Sequence, residues 1–207
     1  MGKANIDTIV FDLGGVLIDW SPRYLYDKVF DGDIERSKWF LDHICTPEWN
    51  VEQDAGKPLA LATLELIQKY PDQAKYIQLF YDRWQEMLGS PIKETVNLLQ
   101  KFKSQENYRL YALTNWSNET FPVALELFDF LNLFEGIVVS GREFTRKPFP
   151  KIYQILMDRY AVLPHQSVFI DDNLDNVIGA QEMGFHALQF INPEKLFKDL
   201  GELGIQF

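Results

Sequence analysis

Apolar positions along the chain fall into short runs that alternate with longer amphipathic stretches. Five runs read as strands: Thr8–Phe11, Tyr108–Leu113, Gly136–Val139, Ser167–Ile170 and Ala187–Phe190. Short apolar runs bounded by turn residues have the pattern of buried strands. Four segments between or after them have helical spacing: Pro91–Lys103, Asn118–Phe130, Pro150–Tyr160 and Asn173–Met183. Pro91 and Pro122 sit near helix starts, where a missing N–H is harmless. Gly184 stands where a left-handed helix cap is expected. Strands alternating with helices predict an α/β fold, with a parallel sheet and right-handed crossovers.

The alternation breaks between Trp20 and Gly89. This stretch is rich in helix formers and large aromatics, including Tyr24, Tyr26, Trp39, Phe40, Trp49, Tyr70, Tyr76, Phe80, Tyr81 and Trp84, and it lacks a convincing strand. It reads as a helical insertion after the first strand. The expected division is a sheet-bearing core over 1–19 and 90–207 with an α-helical unit over 20–89. Asp19 and Gly89-Ser90-Pro91 lie near its two hinges. Most of these aromatics are expected in the helical core. The alternative is that one or two face a pocket between insertion and sheet.

Composition narrows the partners. The 207 residues carry a formal net charge of −10 and 46% are hydrophobic, enough for a substantial core. With a pI near 4.8, neither nucleic acid nor an anionic membrane is expected as the main partner. A small anionic substrate remains possible, because a local cation inverts the field. The single cysteine, Cys45, excludes a disulfide framework or cysteine metal cluster and is expected to have no redox role. His43, His165 and His186 have no metal-ligand spacing. No long apolar span is present, and Met1-Gly2-Lys3-Ala4-Asn5-Ile6 has neither a leader's apolar stretch nor a myristoylation signal. The expectation is a cytoplasmic protein, monomer or homodimer.

Four polar features fall at predicted strand ends: Asp12, Thr114-Asn115, Lys147-Pro148, and Asp171-Asp172-Asn173 with Asp175-Asn176. Parallel strands would gather them at one sheet edge, where open α/β sheets place ligands. Three carboxylates there repel one another, and a bound Mg²⁺, which takes oxygen ligands, relieves that penalty. Such an ion orients and neutralises a phosphoryl group. Thr114 and Asn115 are candidates to bind its oxygens, and Lys147 to offset charge on phosphate and on Asp12. Asp12 is the candidate nucleophile, forming an aspartyl-phosphate that water then hydrolyses.

In these residues the whole chain resembles the haloacid dehalogenase-like hydrolase superfamily. Asp12 matches its first motif, Thr114-Asn115 its second, Lys147-Pro148 its third and Asp171-Asp172 its fourth. The Asp-Leu-Gly-Gly-Val-Leu opening and the Asp-Asp-Asn-x-Asp-Asn ending look most like the sugar-phosphate phosphatase branch. The amino-terminal domain of soluble epoxide hydrolases looks like a more distant relative. The resemblance implies a Rossmann-like core, a helical cap inserted after the first motif, and a Mg²⁺-dependent phosphatase. It also implies metal ligation by the Asp12 and Asp172 side chains and the Gly14 carbonyl, with Asp171 a direct or water-mediated ligand.

One position departs from the pattern. Most phosphatases of the superfamily carry a second aspartate two residues after the nucleophile, which protonates the leaving group and activates water. Here that position is Gly14. Asp19, Asp175, Glu52 and Asp54 are the candidates to replace it. A sugar 1-phosphate, whose hemiacetal leaves readily, would suffer least from the loss. Two other functions remain open. A 2-haloacid dehalogenase would attack carbon through Asp12 without metal, though the Asp171-Asp172 pair opposes a carboxylate substrate. A binding or regulatory domain could have kept metal and phosphate affinity without turnover.

Overall fold

The run Ile9-Val10-Phe11 is apolar on both sides of its backbone, so its strand needs cover on both faces. In the computed structural model, which describes residues 6–207, that cover is present; the amino-terminal reading over 1–5 lies outside the described residues. Strand β1 (Thr8–Phe11) leads through a tight turn into β2 (Ile18–Trp20). Five helices follow: α1 (Arg23–Val29), α2 (Ile34–His43), α3 (Pro47–Asp54), α4 (Leu59–Lys69) and α5 (Ala74–Asp82). The chain returns through β3 (Leu88–Pro91), α6 (Lys93–Gln105), β4 (Arg109–Thr114), α7 (Phe121–Leu127) and β5 (Gly136–Val139). It ends with α8 (Ser140–Glu143), α9 (Pro150–Tyr160), β6 (Ser167–Asp171), α10 (Leu174–Glu182), β7 (His186–Gln189) and α11 (Pro193–Glu202).

Five strands form one parallel sheet in the order β5-β4-β1-β6-β7. Side-chain alternation divides its cover. Ile9 and Phe11 face a cluster with Leu110, Ala112 and Ile170, continuous with the residues of α6 and the helical segment. Val10 faces the opposite way, with Tyr111, Leu113 and Phe169, against Ile152, Tyr153 and Leu156 of α9 and Ala180 of α10. The chain builds outward from β1 to β4 and β5 on one side, then returns to β6 and β7 on the other. The carboxyl ends of β1, β4 and β6 therefore meet at the point where strand order reverses.

Several boundaries moved. Pro91 ends β3, and the helix expected from it begins at Lys93. Asn118–Phe130 is α-helical only over Phe121–Leu127, with a 3₁₀ turn at Asp129–Leu133. The β2–β3 antiparallel ribbon and helix α11 were not anticipated. The ribbon joins the two ends of the helical segment, pairing Trp20 with Leu88 and Ile18 with Pro91. Gly184 has the expected left-handed conformation at φ +91°. Tyr26, Phe40 and Phe80 are buried in the helical segment as expected, whereas Tyr24 and Trp39 are exposed. Cys45 is buried and unpaired. Among the described residues, no helix is long and apolar enough to cross a membrane.

Candidate active site

Asp12 follows β1 directly, and its main-chain N–H continues the ladder to Ile170 at 2.8 Å. Burial takes its carboxylate out of water, so each oxygen needs a partner. Oδ1 accepts from the Leu13 N–H at 2.8 Å and from the Lys147 ammonium at 2.8 Å. Both bonds fall on one oxygen, which leaves Oδ2 available to an electrophile.

Lys147 is wholly buried, and its three protons have three acceptors. They go to Asp12 Oδ1, to Asp171 Oδ2 at 2.7 Å and to the Leu113 carbonyl at 2.8 Å. Burial pulls its pKa down, but Asp12 and Asp171 raise it further than burial lowers it, so the group stays charged. The structure thus shows Lys147 as the brace between two carboxylates. Asp171, also wholly buried, ends β6 and accepts on Oδ1 from the Asn173 N–H at 2.9 Å and Asn176 Nδ2 at 3.0 Å. Asn173 in turn caps α10, accepting from the amides of Asp175 and Asn176.

Asp172 lies over the turn after β1. A Cβ on Gly15 would come within 2.4 Å of Asp172 Oδ2, and Gly15 has φ +73°. Only glycine combines that backbone with so close an approach. Carboxylate oxygens of Asp12, Asp171 and Asp172 lie within 4.8 Å of one another. Three carboxylates against the single Lys147 ammonium leave an excess negative charge at the cluster. Burial raises the Asp12 pKa, with Asp171 and Asp172 adding to the rise and Lys147 opposing it. Burial and then Asp171 raise that of Asp172. The donor set is all oxygen, crowded and under-neutralised, which fits a hard divalent cation such as Mg²⁺. Gly14 forms a bridge with Ile18 through its neighbours: Gly15 N–H donates to the Ile18 carbonyl, and Ile18 N–H to the Leu13 carbonyl. The carbonyl of Gly14 itself takes no part in that bridge.

Thr114 ends β4, buried, beside Asp12 in the sheet order. Asn115 follows it and clamps the third motif. Its Nδ2 donates to the Lys147 carbonyl at 3.1 Å, and its Oδ1 accepts from the Lys147 N–H at 2.9 Å. The four sequence features therefore converge as predicted, but Asn115 and Lys147 are engaged largely with other chain groups.

A pocket of about 90 Å³ opens beside this cluster, between the sheet edge and the helical segment. Gly14, Asn115, Trp116, Ser117 and Thr120 line it from the sheet side. Trp20, Asn50, Asp54, Tyr81 and Trp84 close it from the other. Trp84 meets Trp116 edge to face, with centroids 5.6 Å apart. Sequence reasoning found Tyr81 and Trp84 only as two aromatics among many. It missed Trp116 and Ser117, although they continue directly from Thr114-Asn115. Of the four carboxylates considered as replacements at Gly14, Asp54 alone lines this pocket. Asp19 accepts from the Tyr24 hydroxyl at 2.5 Å, Glu52 pairs with Lys57 at 2.8 Å, and Asp175 is exposed in the first turn of α10.

A parallel sheet whose switch point carries a buried Asp–Lys–Asp brace and a third carboxylate places the chain among α/β proteins with an acidic site at the carboxyl ends of the strands. The family model for haloacid dehalogenase-like hydrolases matches residues 6–184, and the chain belongs to that family. Among curated relatives it is 26% identical over 200 residues to sesquiterpene phosphatase astK of Aspergillus oryzae, covering 94% of each chain. It is also 26% identical over 209 residues to drimenol cyclase drtB of Aspergillus calidoustus, covering 94% of this chain but only 36% of that longer protein. Among solved structures, a family enzyme from Bacteroides thetaiotaomicron, in complex with magnesium and inorganic phosphate, superposes with a TM-score of 0.65. That match covers 89% of this chain and 93% of the other, at 24% identity.

Proposed function

We propose that the protein is a Mg²⁺-dependent phosphatase acting on a small phosphorylated metabolite through an aspartyl-phosphate at Asp12. The observation that carries this reading is the cluster of Asp12, Asp171 and Asp172 around the buried Lys147, with Asp12 Oδ2 free. Asp12 Oδ2 attacks phosphorus, the bond to the leaving oxygen breaks, and water later hydrolyses the acyl phosphate. Lys147 keeps Asp12 ionised and oriented and carries part of the charge of the phosphoryl group through it. The Thr114 hydroxyl and the main-chain N–H of Asn115 bind the phosphoryl oxygens, the Trp116 and Ser117 N–H groups being bonded to Ser140 and Asp54. Asp12, Asp172 and the Gly14 carbonyl would hold Mg²⁺, with Asp171 behind them. When bound, that ion neutralises the phosphoryl oxygens and lowers the pKa of Asp12.

The helical segment over 20–89 acts as a cap that shapes the pocket for the leaving group. Its walls pair flat apolar faces, from Trp20, Tyr81, Trp84 and Trp116, with polar groups from Asn50, Ser117 and Thr120. A sugar phosphate presents both kinds of surface, an apolar ring face and hydroxyls, and is the substrate class favoured here, with sugar 1-phosphates included. A haloacid dehalogenase reading is less well supported, because the acidic cluster would repel a carboxylate substrate.

The test is phosphate release from a panel of sugar phosphates and p-nitrophenyl phosphate, with Mg²⁺ and with chelator. Turnover is expected with Mg²⁺ and is expected to fall by at least about 10²-fold in chelator. Undiminished turnover in chelator would refute the metal's role, and halide release from 2-haloacids would refute the reaction class.

A further inference from the structure

A departing alkoxide needs a proton, and the residue two positions beyond Asp12 has no side chain to give one. We propose that Asp54, carried into the pocket by helix α3 of the helical segment, supplies that proton and takes one back from the attacking water. This inference rests on the phosphatase reading above.

Three observations place it there. First, Asp54 and Gly14 line the same pocket, Asp54 from the helical segment and Gly14, with Asn115, from the sheet edge. Second, the position of Asp54 is fixed by the core as well as by its own helix. Its carboxylate is approached by the Ser117 N–H from the core and by Asn50 Nδ2, at 3.3 Å, from one turn earlier in α3. Its main-chain carbonyl accepts from the Ser140 hydroxyl at 2.5 Å. Just beyond it, Gly56 at φ +100° lets the backbone close on the core: a Cβ there would meet Phe144 Cδ1 at 2.7 Å and the Gly141 carbonyl at 3.1 Å. Third, a Cβ built on Gly14 meets nothing within 4 Å. The space beside the nucleophile is open, so substrate and the Asp54 carboxyl can share it.

The charge environment suits a group that must work in both forms. Burial raises the Asp54 pKa to about 7, opposed by the Ser117 amide and by the charges of Arg146 and Lys147 after β5. Tyr81 on α5 is the other titratable neighbour; burial and the charge of Asp54 push its phenol upward, so it stays neutral. A carboxyl poised near neutrality is effective as acid and as base.

The proton balance closes. As the P–O bond to the leaving group breaks, its electron pair takes the proton of the Asp54 carboxyl, and the alcohol departs. Asp54, now ionised, removes a proton from the water that attacks phosphorus. Inorganic phosphate is released, the Asp12 carboxylate is restored, and Asp54 is again protonated.

The experiment compares wild type and Asp54→Asn, loaded with Mg²⁺, on glucose 6-phosphate and p-nitrophenyl phosphate. The quantity read is kcat/KM, which covers only the steps through formation of the aspartyl-phosphate. Asp54→Asn is expected to lose about 10²–10⁴-fold on the alkyl phosphate and less than about tenfold on the aryl phosphate, whose phenolate leaves without a proton. The ratio is taken within one preparation, so partial misfolding cancels. Gly14→Asp in the Asp54→Asn background is expected to recover the alkyl phosphate by at least about tenfold. In wild type, kcat/KM on glucose 6-phosphate should fall as pH rises through about 7, where Asp54 loses its proton, and Asp54→Asn should lose that limb. Equal losses on both substrates would overturn the proposal and reduce Asp54 to a positioning residue. If wild type turns over both substrates and Asp12→Asn neither, the phosphatase reading stands whatever Asp54→Asn does. A wild type inert on both removes that reading and this inference together.

Discussion

The sheet edge and the helical segment satisfy their buried polar groups very differently. At the edge, Lys147, Asp171 and Asn115 form a closed network, in which each proton of the Lys147 ammonium has an acceptor. In the helical segment, Asp27 Oδ1, Ser37 Oγ and both side-chain polar atoms of Gln53 are buried without a partner, whereas beyond the brace the sheet side has one such atom among the described residues, Trp116 Nε1 at the pocket wall. The contrast separates two tasks. Groups that react must be held in one geometry before substrate arrives, which a fully bonded network does. Groups that enclose a substrate must tolerate rearrangement, and an element with unsatisfied polar atoms has less to lose by shifting.

The largest effect that would sharpen this contrast is at the nucleophile. Asp12→Asn should lower phosphate release by at least about 10⁴-fold, as removal of a covalent nucleophile does. Its thermal midpoint should not fall, because burial already disfavours the Asp12 charge. Calorimetry beside a phosphate assay checks both; full activity would break the mechanism. Next is the brace. Lys147→Met should cost about 3–5 kcal/mol in denaturant unfolding, since it removes the one cation with which the buried Asp12 and Asp171 carboxylates are both paired. A loss under about 1 kcal/mol would mean that the network is not preorganised as described. The smallest effect lies on the other side of the pocket. Trp84→Phe should raise KM for a sugar phosphate several-fold, an effect of about 1 kcal/mol, and lower kcat by less than about twofold. A large fall in kcat with unchanged KM would erase the division of labour between the two regions.

Much of the rigid region was legible in the chain. The run from Ile9 to Phe11, the glycines after Asp12 and the polar residues after each later strand are local signals, and their order implies convergence once the sheet is parallel. The engagement of Asn115 with the Lys147 backbone was not legible, because it joins residues 32 apart in sequence. The β2–β3 ribbon escaped notice because its strands have three and four residues and include Gly89 and Pro91, which argue against a strand. In the helical segment the chain shows amphipathic helices but not which face meets the core. Glu52 and Asp54 are two residues apart on α3. Docking of that helix against Ser117 and Ser140 turns one toward the pocket, while the other pairs with Lys57 in solvent.

That docking has a consequence for timing. Ser140 holds the end of α3 through the Asp54 carbonyl, and Glu119 holds the start of α4 through the Leu59 N–H at 2.9 Å. The latches join the helical segment to the start of α8, which follows β5, and to the loop after β4. Were they to part, the bonds joining Asp12, Lys147 and Asp171 would be untouched, while Asp54, the proton source proposed above, would leave with the helix. An open molecule would then be armed but uncocked: able to meet a phosphate, unable to expel an alkoxide until the latches engage again.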